Sequence, residues 1–165
     1  MSFDASLTDL ITNIVLGVSM ILGTFIFHAY GLDRLFRFVE PWIDRTHQAE
    51  KRAPIGRILV LLITGMGILI LLSAEMWLWA FLYLILDIGA IKNLENAIYF
   101  SVVSFTTVGY GDIVLSSKER LLGAMQAASG MLLFGWSTAF IFEILSITYR
   151  HDRLRHHKTN QDTGV

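Results

Sequence analysis

The stretch Thr106–Asp112 holds the residues of this sequence that are best suited to chemistry. It reads Thr-Thr-Val-Gly-Tyr-Gly-Asp, with glycine at the alternate positions 109 and 111. Glycine adopts a positive φ without the penalty that a Cβ imposes, so the backbone of this stretch can turn successive carbonyl oxygens to one side. Four copies around an axis would stack rings of oxygen atoms, with the Thr107 hydroxyl as one more layer. Such rings can replace the water shell of a monovalent cation.

The same residues carry a family resemblance. Thr107–Asp112 resembles the filter signature of potassium channels, and Ser101–Thr106 is similar to the end of that family's pore helix. A Gly-Tyr-Gly tripeptide alone is common in soluble loops, so the signature also requires membrane-length apolar segments on both sides. The resemblance implies K⁺ sites at the carbonyls of Thr107, Val108, Gly109 and Tyr110, with Gly111 permitting the outer turn and Asp112 anchoring it.

The residues before the filter suggest how its outer end is held. Some family members carry a glutamate where this chain has Val103, so a carboxylate pair with Asp112 is absent here. Tyr99 stands where relatives often carry an aromatic donor. We therefore expect Tyr99 to hydrogen-bond Asp112 and, with Thr106, to support the filter.

The composition indicates a membrane protein. Of the 165 residues, 54% are hydrophobic and 16% are charged, with a mean hydropathy of +0.56, which is too apolar for an ordinary soluble domain. Cysteine is absent from the sequence, which excludes disulfides and thiolate metal sites. No basic stripe, phosphate loop or grouping of nucleophile, base and acid stands out. We expect neither an enzyme nor a nucleic-acid binder, no cofactor, and K⁺ as the permeant ion.

The order of apolar and polar segments predicts four regions. Each long apolar run reaches the roughly 20 residues that cross a bilayer core of about 30 Å. The regions are an N-terminal transmembrane helix at 1–31, a cytoplasmic amphipathic linker at 32–57, a channel pore domain at 58–149 and a cytoplasmic tail at 150–165. Within the pore domain we expect an outer helix at Ile58–Leu86, a pore helix at Leu94–Phe105 capped by Asn93, and an inner helix at Arg120–Tyr149. Propensity alone favours a strand at Tyr99–Val103, so the pore helix follows from the resemblance.

The linker and the tail are the least apolar regions. Leu32, Leu35, Phe36, Val39, Trp42 and Ile43 recur at helical spacing with charged residues between them. This pattern predicts a helix that lies along the membrane surface and is interrupted or restarted at Pro41. It is either a lever on a gate or a linker that follows the lipid. We expect the tail, with His151, His156 and His157, to be solvated and frayed.

The inner helix contains a candidate gate. One stripe at three- and four-residue spacing comprises Met131, Gly135, Thr138, Phe142 and Ser146. Facing inward, Met131, Gly135 and Thr138 would line a cavity, and a ring of Phe142 would close the inner mouth by dewetting. The alternative is a stripe that faces lipid. Gly130 lies where the resemblance to potassium channels places the hinge of the inner helix. Close packing against a neighbouring helix is an equal alternative for this glycine.

Glu75 is an acid inside an apolar run, where an unpaired carboxylate is costly. Counting residues from the inner end of each predicted helix puts Thr12, Asn13 and Gln126 at a similar level. We expect Glu75 to hydrogen-bond within the protein and to tie the outer helices to the pore. His28, near the predicted inner end of the first span, is expected to be an interfacial histidine.

The charge distribution predicts the orientation in the membrane. The linker and the tail hold ten Lys and Arg residues, whereas the opposite side holds Lys92, Lys118 and Arg120. The positive-inside rule then places linker and tail in the cytoplasm of a cell membrane, with the N-terminus and the filter outside.

One filter loop per chain encloses an ion only if four chains meet, so we expect a homotetramer. The full prediction is an all-α membrane protein of three transmembrane helices with a re-entrant pore helix and filter loop. Its expected partners are lipid, its own copies and a separate regulatory subunit. The alternatives are a weakly selective cation channel, a potassium-uptake transporter subunit and a non-conducting regulatory subunit.

Overall fold

The computed structural model describes the backbone of residues 3–48, 53–89 and 91–162, and the side chains within 7–46, 55–89 and 91–149. This part of the chain is helical and contains no strand. The helices are α1 (Phe3–Gln48), α2 (Ala53–Ile85), α3 (Leu94–Phe105) and α4 (Arg120–Asp162). Three segments, Leu7–Thr46, Ile55–Ile85 and Arg120–Tyr149, are long and apolar enough to cross a membrane. The predicted all-helical membrane class is therefore confirmed for the described residues.

The three long helices exceed the thickness of a bilayer core. At 1.5 Å per residue, the 46 residues of α1 extend about 69 Å, the 33 of α2 about 50 Å and the 43 of α4 about 65 Å. A hydrocarbon core is only about 30 Å thick. Unless they tilt steeply, these helices project beyond it.

The chain forms two compact units, and each contains segments of α1, α2 and α4. The first comprises Met1–Tyr30 and Ile70–Gly135, and the second comprises Gly31–Leu69 and Trp136–Val165. The first unit therefore contains α3 and the loop that follows it.

The core of the second unit corrects the prediction for the linker. Val39 and Ile43 of α1, Val60 of α2 and Ile144 of α4 form a buried cluster, with Leu35, Phe36 and Trp42 packed against it. The apolar stripe was predicted from its spacing, and that stripe exists. Its expected contact with a membrane surface is wrong, because the stripe packs on two other helices of the protein.

The predicted interruption at Pro41 is also wrong. Pro41 lies inside the continuous helix α1. Proline has no amide hydrogen, so Pro41 cannot donate the helical hydrogen bond to the carbonyl of Arg37. Both residues lie on the exposed face of the helix. The missing bond is therefore on the side away from the core, and the packing of Val39 and Ile43 holds the helix on both sides of it.

The short helix α3 has the predicted bounds. Asn93 is extended at φ −152°, and its side-chain oxygen accepts a hydrogen bond from the amide of Asn96 at 2.8 Å, which satisfies a free donor of the first turn. The buried residues of α3 are Ala97, Phe100, Ser101 and Phe105. Their helical spacing explains why burial overrides the strand propensity of this segment.

The C-terminal segment differs from the expected frayed tail. The backbone of α4 stays helical from Tyr149 to Asp162. The side chains of His151, His156 and His157 lie outside the described residues, and so do Lys51 and Arg52 of the predicted linker.

Because Pro41 lies within a helix, the substitution Pro41→Ala should stabilise the protein. A helix-interior proline costs about 3 kcal/mol relative to alanine, so we expect the free energy of unfolding to rise by about 1–3 kcal/mol. Thermal unfolding in detergent measures this. The matched control is Pro54→Ala, since Pro54 lies in the first turn of α2, where proline is well tolerated. Equal effects of the two substitutions would contradict a continuous α1.

Candidate functional site

The loop after α3 has an alternating backbone conformation. The angle φ is positive at Thr107 (61°), Gly109 (55°) and Gly111 (78°). Residues with a positive φ thus alternate with Val108 and Tyr110, whose φ is not positive, and such an alternation allows successive carbonyl groups to turn to one side of the chain. Thr107 is β-branched, and a positive φ at such a residue costs about 1–3 kcal/mol, so its surroundings must hold it in place.

The carbonyl groups at the end of α3 hold the loop. The amides of Thr106 and Thr107 donate to the carbonyls of Val102 and Ser104, each at 3.0 Å. The amides of Val108 (3.0 Å) and Gly109 (3.2 Å) both donate to the carbonyl of Val103. The last carbonyls of a helix have no partner within it, and here the loop supplies partners. The Thr106 hydroxyl also donates to the Val102 carbonyl at 2.7 Å.

The predicted Tyr99–Asp112 pair joins the far end of the loop to α3. The Tyr99 hydroxyl donates to Asp112 Oδ2 at 2.6 Å, and Asp112 Oδ1 accepts from the Ile113 amide at 3.1 Å. These hydrogen bonds favour the charged carboxylate, so the Tyr99 bond, followed by the backbone bonds, holds the pKa of Asp112 below its ordinary value.

The side chains of the loop are open to solvent in the single chain. The residues from Thr107 to Asp112 are all exposed, with 52% of Val108 and 72% of Tyr110 accessible. An exposed, non-helical segment is not tolerated against lipid, because its polar backbone groups would lack partners. Within a bilayer, this face of the first unit would therefore have to contact protein or water.

A buried polar cluster, comprising Tyr83, Ser101 and Gln126, lies behind α3. All three residues are 0% exposed. Gln126 Nε2 donates to the Ser101 hydroxyl (2.7 Å) and carbonyl (3.2 Å), and Tyr83 donates to Gln126 Oε1 at 2.8 Å. The Ser101 hydroxyl donates in turn to the carbonyl of Met76 at 2.6 Å. The cluster thus bonds α3 to both α2 and α4.

Glu75 has a different partner from those expected. Its Oε1 lies 2.7 Å from Nδ1 of His28, and both side chains are fully buried. Asn13 instead donates to the carbonyl of Lys118, whose ammonium lies 3.2 Å from Asp9. The predicted level was wrong because the first helix was predicted to end by residue 31, whereas α1 continues to Gln48. His28 is buried beside Glu75, and its position at the membrane interface stays a prediction. The Glu75–His28 pair joins α1 to α2.

Gly130 makes a close contact with the end of α3. A Cβ on Gly130 would lie 2.2 Å from the carbonyl oxygen of Phe105, so only glycine fits. Close packing therefore accounts for this glycine, and the hinge stays a prediction. Along the predicted gate stripe, Met131, Gly135, Thr138 and Phe142 are exposed and Ser146 is half-buried. Their role in a cavity and gate also stays a prediction.

Two residues of the buried cluster were missed by sequence reasoning. From the sequence, Tyr83 is assigned only to the outer helix and Ser101 only to the pore helix. The available signal was the polarity of Ser101 and Gln126 inside segments that otherwise suit an apolar core. The sequence contains no signal that would pair them with each other.

Comparison with known proteins agrees with this geometry. A family model described as "Ion channel" matches residues 58–146. The chain is 49% identical over 45 residues to "Two-pore potassium channel 1" of Arabidopsis thaliana, which covers 27% of this chain and 12% of that protein. It is 43% identical over 53 residues to "Voltage-gated potassium channel Kch" of Escherichia coli, which covers 32% of this chain and 13% of that protein. The chain thus spans about an eighth of the length of these relatives. No solved structure matches it.

The Tyr99–Asp112 bond predicts a measurable titration. Because the pKa of Asp112 is lowered in the folded protein, the bond stabilises the loop fully above the ordinary aspartate pKa of about 3.9. This stabilisation is lost as the pH falls through the lower folded value. In Tyr99→Phe we expect the pKa of Asp112 to rise towards its ordinary value, as measured by carboxyl ¹³C NMR titration. Tyr149→Phe, in the other unit, should leave it unchanged; an equal pKa in all three proteins would refute the bond.

The contact at Gly130 predicts a loss of stability in Gly130→Ala. The new methyl group meets backbone that cannot move aside cheaply, so we expect a loss of about 1–3 kcal/mol in thermal unfolding experiments. At Gly135 a Cβ meets nothing within 4 Å. Gly135→Ala is therefore the matched control and should be neutral or stabilising. If Gly130 acted only as a hinge, both substitutions would be tolerated equally.

Proposed function

This chain belongs to the ion channel family, and from that premise we propose that four copies of it form a K⁺-selective pore. Transport is passive, down the electrochemical gradient. Each ion exchanges its hydration shell for the carbonyl oxygens of Thr107, Val108, Gly109 and Tyr110. K⁺ is the permeant ion, and the reaction requires no cofactor.

The observation that carries the proposal is the alternating backbone of the loop. With positive φ at Thr107, Gly109 and Gly111, the backbone can direct successive carbonyls to one side. The amides of Val108 and Gly109 are bonded behind the loop to the Val103 carbonyl. Carbonyl oxygens on the opposite side are then available to an ion, and their rings form the coordination shell that selects K⁺.

The exposure of the loop supports assembly of four chains. Val108 and Tyr110 are more than half exposed in one chain, whereas non-helical backbone at membrane depth must be surrounded by protein or line an aqueous path. One chain supplies one loop, so a closed ring of oxygens needs several copies around an axis. The C-terminal end of α3, with its partial negative charge, lies next to the loop and favours a cation there.

The names of the two relatives support the choice of K⁺. Both are called potassium channels, and both matches exceed 40% identity. The positive-inside rule supports an orientation in which the arginine-rich segments between 34 and 57 and after 149 face the cytoplasm. In this orientation the loop opens to the outside. Met131, Gly135 and Thr138 then line the inner cavity, and Phe142 forms the inner mouth.

The decisive experiment measures K⁺ flux into liposomes that contain the purified protein. We expect flux for the wild type and its loss in Gly109→Ala, because alanine at a φ of 55° strains the loop and turns its carbonyl groups. The matched control is Gly89→Ala, where a Cβ meets nothing within 4 Å and φ is not positive. That variant should conduct like the wild type.

Current recordings from the same protein in planar bilayers, together with the flux assay, separate the alternatives. A weakly selective cation channel would show a reversal potential near zero when K⁺ on one side is replaced by Na⁺. A non-conducting regulatory subunit would show no flux for any ion. Equal flux in Gly109→Ala and wild type would overturn the role of the loop, and a stable monomer would overturn the four-chain pore.

A further inference from the structure

The buried cluster of Tyr83, Ser101 and Gln126 has no part in the ion pathway proposed above. Its hydrogen bonds nevertheless converge on one point of α3. Gln126 of α4 binds both the hydroxyl and the carbonyl of Ser101, and Ser101 binds the carbonyl of Met76 in α2. Ser101 is therefore bonded to both neighbouring helices, although α3 is short.

The hydrogen bonds continue from Ser101 to the loop along the backbone. Ser101 lies two residues before Val103, whose carbonyl accepts the amides of Val108 and Gly109. A helix is stiff over two residues, so a rotation or shift of α3 at Ser101 moves the Val103 carbonyl with it. The positions of the carbonyl oxygens of the loop are thus coupled to the position of the Gln126 side chain.

The three side chains use most of their bonding capacity within the cluster. Gln126 donates to Ser101 with its amide nitrogen and accepts from Tyr83 with its amide oxygen, and both hydroxyl groups donate. In an apolar environment a fully bonded polar network specifies one arrangement, whereas one missing partner leaves a costly unsatisfied group. Apolar contacts alone would allow α3 to slide or rotate at lower cost.

We propose that Gln126 is a positioning residue for ion selectivity. Through Ser101 it sets the height and rotation of α3, and through α3 it sets the spacing of the carbonyl oxygens at Val108 and Gly109. Gln126 does not touch the ion. This role rests on the proposed function, because it concerns the selectivity of the same loop.

The test compares K⁺ and Na⁺ permeability in liposomes or planar bilayers. In Gln126→Leu the cluster loses both its donor and its acceptor, and we expect the K⁺/Na⁺ permeability ratio, read from the reversal potential, to fall about tenfold. Tyr83→Phe removes only the hydroxyl bonded to Gln126 and keeps the aromatic ring. It should lower the ratio in the same direction by a smaller factor, on the order of threefold.

The matched control is Ser129→Ala. Ser129 is buried (1% exposed), and its hydroxyl donates to the Gln126 carbonyl at 2.8 Å, a hydrogen bond that stays within α4. We expect its permeability ratio to equal that of the wild type. The thermal stability of each assembled protein, measured beside the ratio, separates positioning from general destabilisation, because an ordinary packing defect lowers stability without changing selectivity.

The outcomes distinguish this inference from the proposed function. No K⁺ flux in the wild type would overturn the channel itself. A selective wild type, together with an unchanged permeability ratio in Gln126→Leu and Tyr83→Phe, would overturn only the positioning role. If Gln126→Leu fails to assemble, Tyr83→Phe decides: a lowered ratio supports the inference, and an unchanged ratio refutes it.

Discussion

The non-helical backbone of the loop after α3 must find hydrogen-bond partners for its amides, and the rest of the first unit depends on how this chain meets that requirement. The last carbonyls of α3 lack helical partners, and the loop amides lack partners of their own. The loop amides donate hydrogen bonds to these carbonyls, and the Val103 carbonyl accepts two of them. The hydrogen bonds of the Thr107, Val108 and Gly109 amides also hold the positive φ of Thr107 in place.

This arrangement requires α3 to be held accurately, and polar contacts contribute to that. In lipid, apolar side chains gain little by leaving one apolar environment for another, so close packing and hydrogen bonds decide which helices meet. Gly130 allows α4 to approach the end of α3, while Ser101 is bonded to α2 and α4. The buried Glu75–His28 pair joins α1 to α2 in the same unit. An acid in a membrane helix thus has a structural partner.

The second unit shows how an amphipathic pattern can be interpreted correctly and still be assigned the wrong contact. The stripe that includes Val39 and Ile43 is helical and buried as its spacing predicts. Spacing reports that one face avoids water, but it does not identify the surface that covers that face. Here α2 and α4 supply the cover, and their packing also keeps the helix continuous through Pro41.

Features that depend on local chemistry were determined by the sequence itself. The presence of three apolar segments long enough to cross a bilayer, the Asn93 cap and the glycine alternation each depend on residues close together in the chain. The relative level of distant helices was decided only by the tertiary structure, since it depends on where long helices end and how they pack. Glu75 therefore meets His28 and not Gln126, and Gly130 meets the Phe105 carbonyl. These contacts join residues 25 to 47 positions apart. A periodic pattern along the chain does not predict which residues at such separations meet.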